Sequence, residues 1–245
     1  MNEIISFEDV TVSYQRHPAL HHISCGIARN EMTAIIGPNG GGKSTFLRAI
    51  AGLVETDHGA LTLQNIDRKD IAFLPQQNMI ERNFPISAIE VVMQGAWRKL
   101  GYLKFFTPST RKKALEALKK VGLAGFEDRP LSTLSSGQLR RVMFARVIMQ
   151  DAKLILLDEP FANIDEKITE SLLRLIKQWQ KEKRTVVVVL HEISLTKDNF
   201  ANCILVARDL IAAGKTEKVL TKENLSRAYK MSEAWDETAE ICEIA

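Results

Sequence analysis

Two hydrophobic periods alternate along this chain, and each predicts an element. Across residues 4–14 the side chains of Ile5, Phe7, Val10, Val12 and Tyr14 fall close to every second position. A second strand-like piece, residues 23–28, follows a turn expected at His17-Pro18. Period two marks half-buried strands, and two in succession predict an antiparallel sheet at the start of the chain. Residues 32–36, Met-Thr-Ala-Ile-Ile, are apolar without alternation, the pattern of a strand buried on both faces. Residues 46–51 then carry a helical pattern that Gly52 is placed to stop. Two short β segments, 61–63 and 71–74, lead into Pro75-Gln76-Gln77.

After Gln77 the period changes to that of helices. Residues 86–100 repeat at helical spacing, and Thr107-Pro108 is a capped start for a helix over 109–121 that Gly122 ends. A further helix follows residues 134–138 and runs to about Gln150. The run Leu-Ile-Leu-Leu at 154–157 predicts a buried parallel strand, which ends on Asp158-Glu159. Asp165 is placed to cap a helix over 166–183, with Ile168, Leu172, Leu175, Ile176 and Trp179 as its inner stripe. Another buried strand, 185–190, delivers His191 to the same edge as Glu159. Residues 203–207 and 210–213 read as a terminal hairpin, and Thr221 caps a short helix near 223–231. The expected class is therefore α/β: a mixed central sheet with an antiparallel β subdomain and an inserted α-helical subdomain. The expected division is one domain over 1–245, its core about 1–80 and 151–245 and its helical part about 81–150.

Composition narrows this only a little. A chain of 245 residues holds one such domain with a substantial core, but not two full catalytic domains. With 33 basic against 30 acidic residues the net charge is +3, so no strongly basic surface argues for nucleic acid. The cluster Arg111-Lys112-Lys113, with Lys119-Lys120, reads as a solvated helix face. Cys25, Cys203 and Cys242 are far apart and form no Cys-x-x-Cys pair, which fits reduced thiols. His21, His22 and Cys25 have the residue types of a zinc site, yet alternation along a strand turns them to different faces. The first residues lack the basic-then-apolar pattern of an export signal. The longest apolar runs are far short of the ~20 residues that span a bilayer, so any membrane connection is expected through another chain.

The chemistry gathers in a few places. Gly37, Pro38, Asn39, Gly40, Gly41, Gly42, Lys43, Ser44 and Thr45 satisfy G-x-x-x-x-G-K-[ST] between a buried strand and a helix. Glycines there let backbone N–H groups turn inward around a phosphate, and the helix N-terminus adds partial positive charge. Lys43 is expected to reach the β- and γ-phosphates of a nucleoside triphosphate and Ser44 to hold Mg²⁺. Leu134, Ser135, Ser136, Gly137 and Gln138 precede a helix and make either a second anion-binding end or an ordinary serine cap. Ligands gather at the carboxyl ends of strands in open α/β sheets, which brings Asp158 and Glu159 to the nucleotide. Asp158 is the expected Mg²⁺ partner, and Glu159 is suited to polarise the attacking water. His191 can contact the γ-phosphate or that water. Tyr14 lies where its ring can stack on the adenine base.

Taken in order, the phosphate loop, Gln76, residues 134–138, residues 154–160, Asp165 and His191 resemble the nucleotide-binding subunit of ATP-binding cassette (ABC) transporters. The resemblance covers almost the whole chain, and the Leu-Ser-x-Gly-Gln signature is the specific part of it. It implies an ATP- and Mg²⁺-dependent ATPase of the phosphate-loop NTPase class. It further implies that Tyr14 stacks on adenine, that Gln76 senses Mg²⁺ and the transmembrane partner, and that Glu159 is the catalytic base. Asp165 would then lie in a loop crossing the dimer interface, and His191 would be a switch histidine. Residues Ser135 and Gly137 would contact the γ-phosphate of ATP on the opposite subunit, so two identical copies would complete two equivalent sites with C₂ symmetry. The implied partners are a second copy, integral-membrane permease subunits and, indirectly, a substrate-binding protein, with the chain peripheral on the cytoplasmic face of the plasma membrane. Two positions depart from the family pattern: Ser136 stands where glycine is usual, and Leu190 and Glu192 flank His191 in place of threonine and aspartate.

Within the family, Phe84-Pro85-Ile86, Val91-Val92-Met93-Gln94-Gly95 and the stretch from Trp97 to Phe106 resemble importers of zinc and manganese. The tail Glu223-Asn224-Leu225-Ser226-Arg227-Ala228, continuing through Met231 to Trp235, is most similar to a zinc-importer subgroup. Iron-chelate importers are similar in the first region. The reading from another class is a soluble ABC ATPase of DNA repair, translation or iron–sulfur assembly; one cassette without a long heptad insertion speaks against the repair and translation types.

Overall fold

In the computed structural model, which describes residues 3–76, 84–97 and 106–233, the chain opens with an antiparallel sheet. Strand β1 (Glu3–Tyr14) pairs with β2 (His17–Ala28) on one side and β4 (His58–Leu63) on the other. The turn between β1 and β2 is made by Gln15 and Arg16, at φ 50° and 69°, and not by His17-Pro18. Pro18 lies inside β2 opposite Ser13. It is accommodated because β2 is the edge of this sheet, where a residue without an N–H interrupts no ladder. The regular alternation expected around His21 and His22 also fails. Register shifts interrupt the β1–β2 ladder and His22 sits at φ 49°, which brings the two rings together with centroids 4.4 Å apart. Each ring instead has its own carboxylate: His21 Nδ1 is 2.8 Å from Asp209 and His22 Nδ1 is 2.7 Å from Asp9. Among the described residues no set of His, Cys, Asp and Glu is arranged to hold a metal ion.

A second sheet carries six strands in the order β5 (Ile71–Leu74), β6 (Leu154–Asp158), β7 (Thr185–Val189), β3 (Met32–Ile36), β8 (Asn202–Ala207) and β9 (Asp209–Lys215). The first five run parallel and β9 is antiparallel to β8. Every residue of β3, β6 and β7 is buried, as their unbroken apolar runs require. Their period of two divides the interior in two. Ile35, Leu156, Val187 and Val189 pack with helix α1 (Lys43–Ile50) and the antiparallel sheet, and Phe7 stacks on Phe46 at 4.2 Å. Ala34, Ile36, Ile155, Leu157, Val186 and Val188 pack with the remaining helices. The phosphate-loop helix is therefore held between two sheets.

Between β5 and β6 in sequence come α2 (Ala88–Gln94), α3 (Pro108–Lys120) and α4 (Ser136–Gln150), which pack on one another. Helix α2 is shorter than periodicity suggests, because a Ser87/Glu90 capping box starts it and Gly95 closes it; residues 98–100 lie outside the described residues, as do 101–105 and 234–235 of the stretches likened to metal importers. Thr107 caps α3 by accepting from the Thr110 N–H, and Arg111, Lys112 and Lys113 are exposed. Helix α5 (Glu166–Lys181) stacks Trp179 on Phe144 of α4 at 5.5 Å, and it stops two residues before the expected end, with Lys183 at φ 60°. The chain continues through α6 (Ile193–Asn199), α7 (Thr216–Val219) and α8 (Lys222–Glu233). Among the described residues no helix is long and apolar enough to cross a membrane.

Candidate functional site

The phosphate loop joins β3 to α1 and is pinned from two sides. Gly42, the N-cap of α1, sits at φ 86°, and a Cβ there would lie 2.2 Å from the Ala19 carbonyl oxygen of β2. A Cβ on Gly37 would lie 1.9 Å from the Val206 oxygen of β8. Glycine is thus required for approach at one position and for both approach and conformation at the other. Lys43, buried, donates from Nζ to the carbonyls of Gly37 at 3.0 Å and Pro38 at 2.7 Å. Burial pushes its pKa down, while the charges of Glu159 and Asp158 oppose that shift. No side chain caps α1 and its first turn contains no acid, so its leading N–H groups point at whatever anion the loop holds.

The acids arrive from the end of β6. Ser44 Oγ donates to Asp158 Oδ1 at 3.2 Å, joining the loop to the strand. Asp158 is fully buried, and its Oδ2 has no hydrogen-bond partner. Burial raises its pKa, the hydrogen bond from Ser44 opposes this, and the neighbouring Glu159 charge adds to it. A buried carboxylate with one orphaned oxygen beside a serine hydroxyl is a hard, all-oxygen donor set that fits Mg²⁺. Glu159 stands in the left-handed region at φ 49°, and its Oε1 is 2.7 Å from His191 Nε2. That contact ties the end of β6 to the residues following β7.

Tyr14, Asn39 to Thr45, Gln76, Glu159 and His191 line one open cleft of about 510 Å³. Its volume falls within the ~300–1,000 Å³ of small-molecule sites. Gly37 and Pro38 lie behind it as acceptors for Lys43, and Asp158 reaches it through Ser44. Leu134 to Gln138 and Asp165 are absent from the lining. The signature residues form the N-terminus of α4, where Ser135 Oγ accepts from the Gln138 N–H at 3.2 Å and Gln138 Oε1 accepts from the Ser135 N–H at 2.9 Å. Leu134 is buried and Ser135 exposed. A Cβ on Gly137 would lie 2.9 Å from the carbonyl oxygen of Asn163, so the signature abuts the loop that leads to Asp165. Asp165 caps α5 by accepting from the Ile168 N–H at 3.0 Å.

Two contributors were not read from the sequence. Ala19 of β2 lines the cleft and presses on Gly42 through its backbone oxygen, for which its side chain gives no signal. Arg140 is only 1% exposed and donates to the carbonyls of Pro75, Asp158 and Glu159. A signal for it exists: Arg140, Phe144 and Val147 follow helical spacing on the buried side of α4, where a charge is out of place.

Residues 20–162 match the ABC transporter family. A manganese transport system ATP-binding protein MntB of Listeria monocytogenes is 35% identical over 229 residues, covering 92% of this chain and 95% of the relative. A zinc transport system ATP-binding protein TroB of Treponema pallidum is 34% identical over 231 residues, covering 92% and 86%. Among solved structures, the dimeric post-hydrolysis state of the ATP-binding cassette MJ0796, bound to ADP and phosphate, superposes with a TM-score of 0.77 at 29% identity, covering 86% of this chain and 98% of that one. With its phosphate loop, strand-end acids and separate signature helix in the arrangement described above, the chain belongs to the ABC transporter family as one of its ATPase cassettes.

Proposed function

We propose that this chain is the ATP-hydrolysing motor subunit of an importer for zinc, manganese or a related divalent metal. Two copies sandwich two ATP molecules and drive a separate permease at the cytoplasmic face of the membrane, served by a substrate-binding protein. The observation that supports this reading is the convergence of Lys43, the Ser44–Asp158 pair and the Glu159–His191 contact on one cleft, in a chain similar to relatives named for manganese and zinc transport.

In this reading Tyr14 stacks on adenine and residues 37–45 wrap the phosphates, while Lys43 exchanges the carbonyls of Gly37 and Pro38 for β- and γ-phosphate oxygens. Ser44, Gln76 and Asp158 hold Mg²⁺, which when bound neutralises charge on the phosphates. Glu159 takes a proton from water as the water oxygen bonds to the γ-phosphorus and the bond to the bridging oxygen of ADP breaks; His191 keeps Glu159 and the γ-phosphate in register. Ser135, Ser136, Gly137 and Gln138 complete the site of the second copy, and Asp165 lies in the loop between the two sites. Loss of the bridging γ-phosphate lets the copies part, and this opening reaches the permease through Gln76 and the helical subdomain of about residues 81–150. Exposed Phe84 and Trp97 there provide the apolar contact that a permease helix needs.

The test is the metal content of cells carrying Lys43→Ala, grown with metals scarce and then with each ion restored. A zinc or manganese deficit relieved by that ion alone is the expected result. Unchanged metals would overturn the importer reading, and ATP hydrolysis undiminished in Glu159→Gln would overturn the assignment of the base.

A further inference from the structure

Arg140 has no part in the cleft lining, yet it is the largest fully buried side chain of the described residues. It projects from the second turn of α4, the helix whose N-terminus carries the signature residues. Its guanidinium donates to three backbone carbonyls on other elements. Nη1 reaches Pro75 at 2.5 Å, immediately before Gln76, and Nη2 reaches both Asp158 and Glu159, the latter at 2.7 Å. Strands β5 and β6 are parallel neighbours with Leu74 opposite Leu157, so these carbonyls stand side by side at the carboxyl edge of the sheet. There Asp158 still pairs with Val189 of β7 and the Glu159 carbonyl also accepts from the Ala162 N–H at 3.2 Å, so Arg140 adds a donor from another element that bridges the two strand ends. Lysine cannot replace this arrangement, because only the planar guanidinium presents several donors in a fixed fork.

Burying a charge is costly, and among the described residues no carboxylate pairs directly with Arg140, although the charges of Asp158 and Glu159 favour its charged form. Burial lowers its pKa to about 10, which still leaves it protonated at neutral pH. The carbonyls it holds are not arbitrary ones. Glu159 is a non-glycine residue in the left-handed region, a strained conformation that persists only where surroundings enforce it. The Glu159 carbonyl is fixed by Arg140 and its carboxylate meets His191, so the residue is anchored at both ends.

We propose that Arg140 is a positioning residue that fixes the backbone of Glu159 and of the Gln76 loop to the signature helix, so that the two composite sites to which one chain contributes move as a unit. This deepens the proposed function and rests on Glu159 being the general base. One guanidinium then links the cis groups that act on ATP to residues 135–138, which meet ATP on the second copy. Docking of the signature on that ATP sets the base of the chain's own site.

The test measures Arg140→Met and Arg140→Lys beside wild type and Glu159→Gln, reading steady-state ATP hydrolysis, binding of a fluorescent ATP analogue, and ATP-dependent dimerisation by size-exclusion chromatography. Arg140→Met is expected to lower kcat about 10–100-fold, the scale on which ~1 Å misplacement of a reacting group acts, while KM for ATP changes less than about threefold. It should also accumulate the ATP-bound dimer, as Glu159→Gln does. Arg140→Lys, which keeps the cation but not the fork, should recover only part of the rate, and it decides the matter by the same readouts if the methionine variant does not fold. A kcat within about twofold of wild type overturns the proposal. So does a loss of rate accompanied by loss of ATP binding and dimerisation in a variant that melts as wild type does. If Glu159→Gln itself hydrolyses ATP at the wild-type rate, the reading of the base fails instead, independently of Arg140.

Discussion

Two helix N-termini in this molecule bear glycine and hydroxyl residues, and they are finished in opposite ways. At α1 the N-cap is Gly42, with no side-chain cap and the loop closed around Lys43. At α4 the N-cap is Ser135, whose reciprocal bonds with Gln138 make a complete capping box. An uncapped end leaves its N–H groups for a ligand, whereas a capped end is stable alone and offers only what it exposes. The first is buried between two sheets and lines the cleft; the second is open and lines nothing of it. In the function proposed above, the difference is how one chain would carry two halves of different sites: the half that grips phosphate is built into the core, and the half that meets a partner is self-sufficient.

The largest expected effect tests the uncapped end. Gly42→Ala introduces a Cβ 2.2 Å from the Ala19 oxygen at φ 86°, so binding of a fluorescent ATP analogue should fall at least ~100-fold, and near-normal affinity would end the argument from approach and strain. Glu159→Gln should slow hydrolysis by about 10²–10⁴ with ATP still bound, and the variant should elute as a dimer with saturating ATP and Mg²⁺. A persistent monomer would break the composite-site picture.

A subtler result concerns Asp158. A carboxyl whose pKa is raised on folding costs stability above that pKa, and the cost disappears as pH falls through it. Asp158→Asn should therefore raise the melting temperature of the nucleotide-free protein at neutral pH. It should also abolish the stabilisation by Mg²⁺-ATP, which for the wild type at 100 times Kd is about 2.7 kcal/mol. A lower melting temperature would show that the ionised carboxylate is matched elsewhere.

At the capped end the effects are smaller. Ser135→Ala removes a cap and should cost ~1 kcal/mol, or about 2–4 °C in Tm, in thermal unfolding without ATP. Binding of ATP to the cis cleft should be unchanged while ATP-driven dimerisation weakens; weakened cis binding would erase the contrast between the two ends. Smallest of all, Ser136→Gly, which restores the residue usual in the family, should change turnover by less than about threefold in a steady-state assay.

The sequence by itself determined the ligand class and most of the strand order in time. G-x-x-x-x-G-K-[ST] between a buried strand and a helix fixes the phosphate loop locally, since both the motif and its flanking elements lie within twenty residues. The unbroken apolar runs of β3, β6 and β7 fixed them as double-covered strands, because burial on both faces excludes polar side chains. The caps at Thr107, Ser135 and Asp165 were legible for the same reason: each acts on an N–H three residues away.

What only the tertiary structure decided depends on groups far apart in the chain. Local alternation misplaced the first turn and turned His21 and His22 apart, because bulges and positive φ values in β1 and β2 answer to the sheet and not to the period. That Asp158 meets Ser44, that Glu159 meets His191, and that Ala19 and Val206 squeeze the phosphate loop follows from strand adjacency, which no single stretch encodes. Arg140 is the clearest case. Its helix was expected, but its task was not, because backbone carbonyls at the ends of two other strands carry no residue signature and come within reach of one guanidinium only once those strands lie side by side.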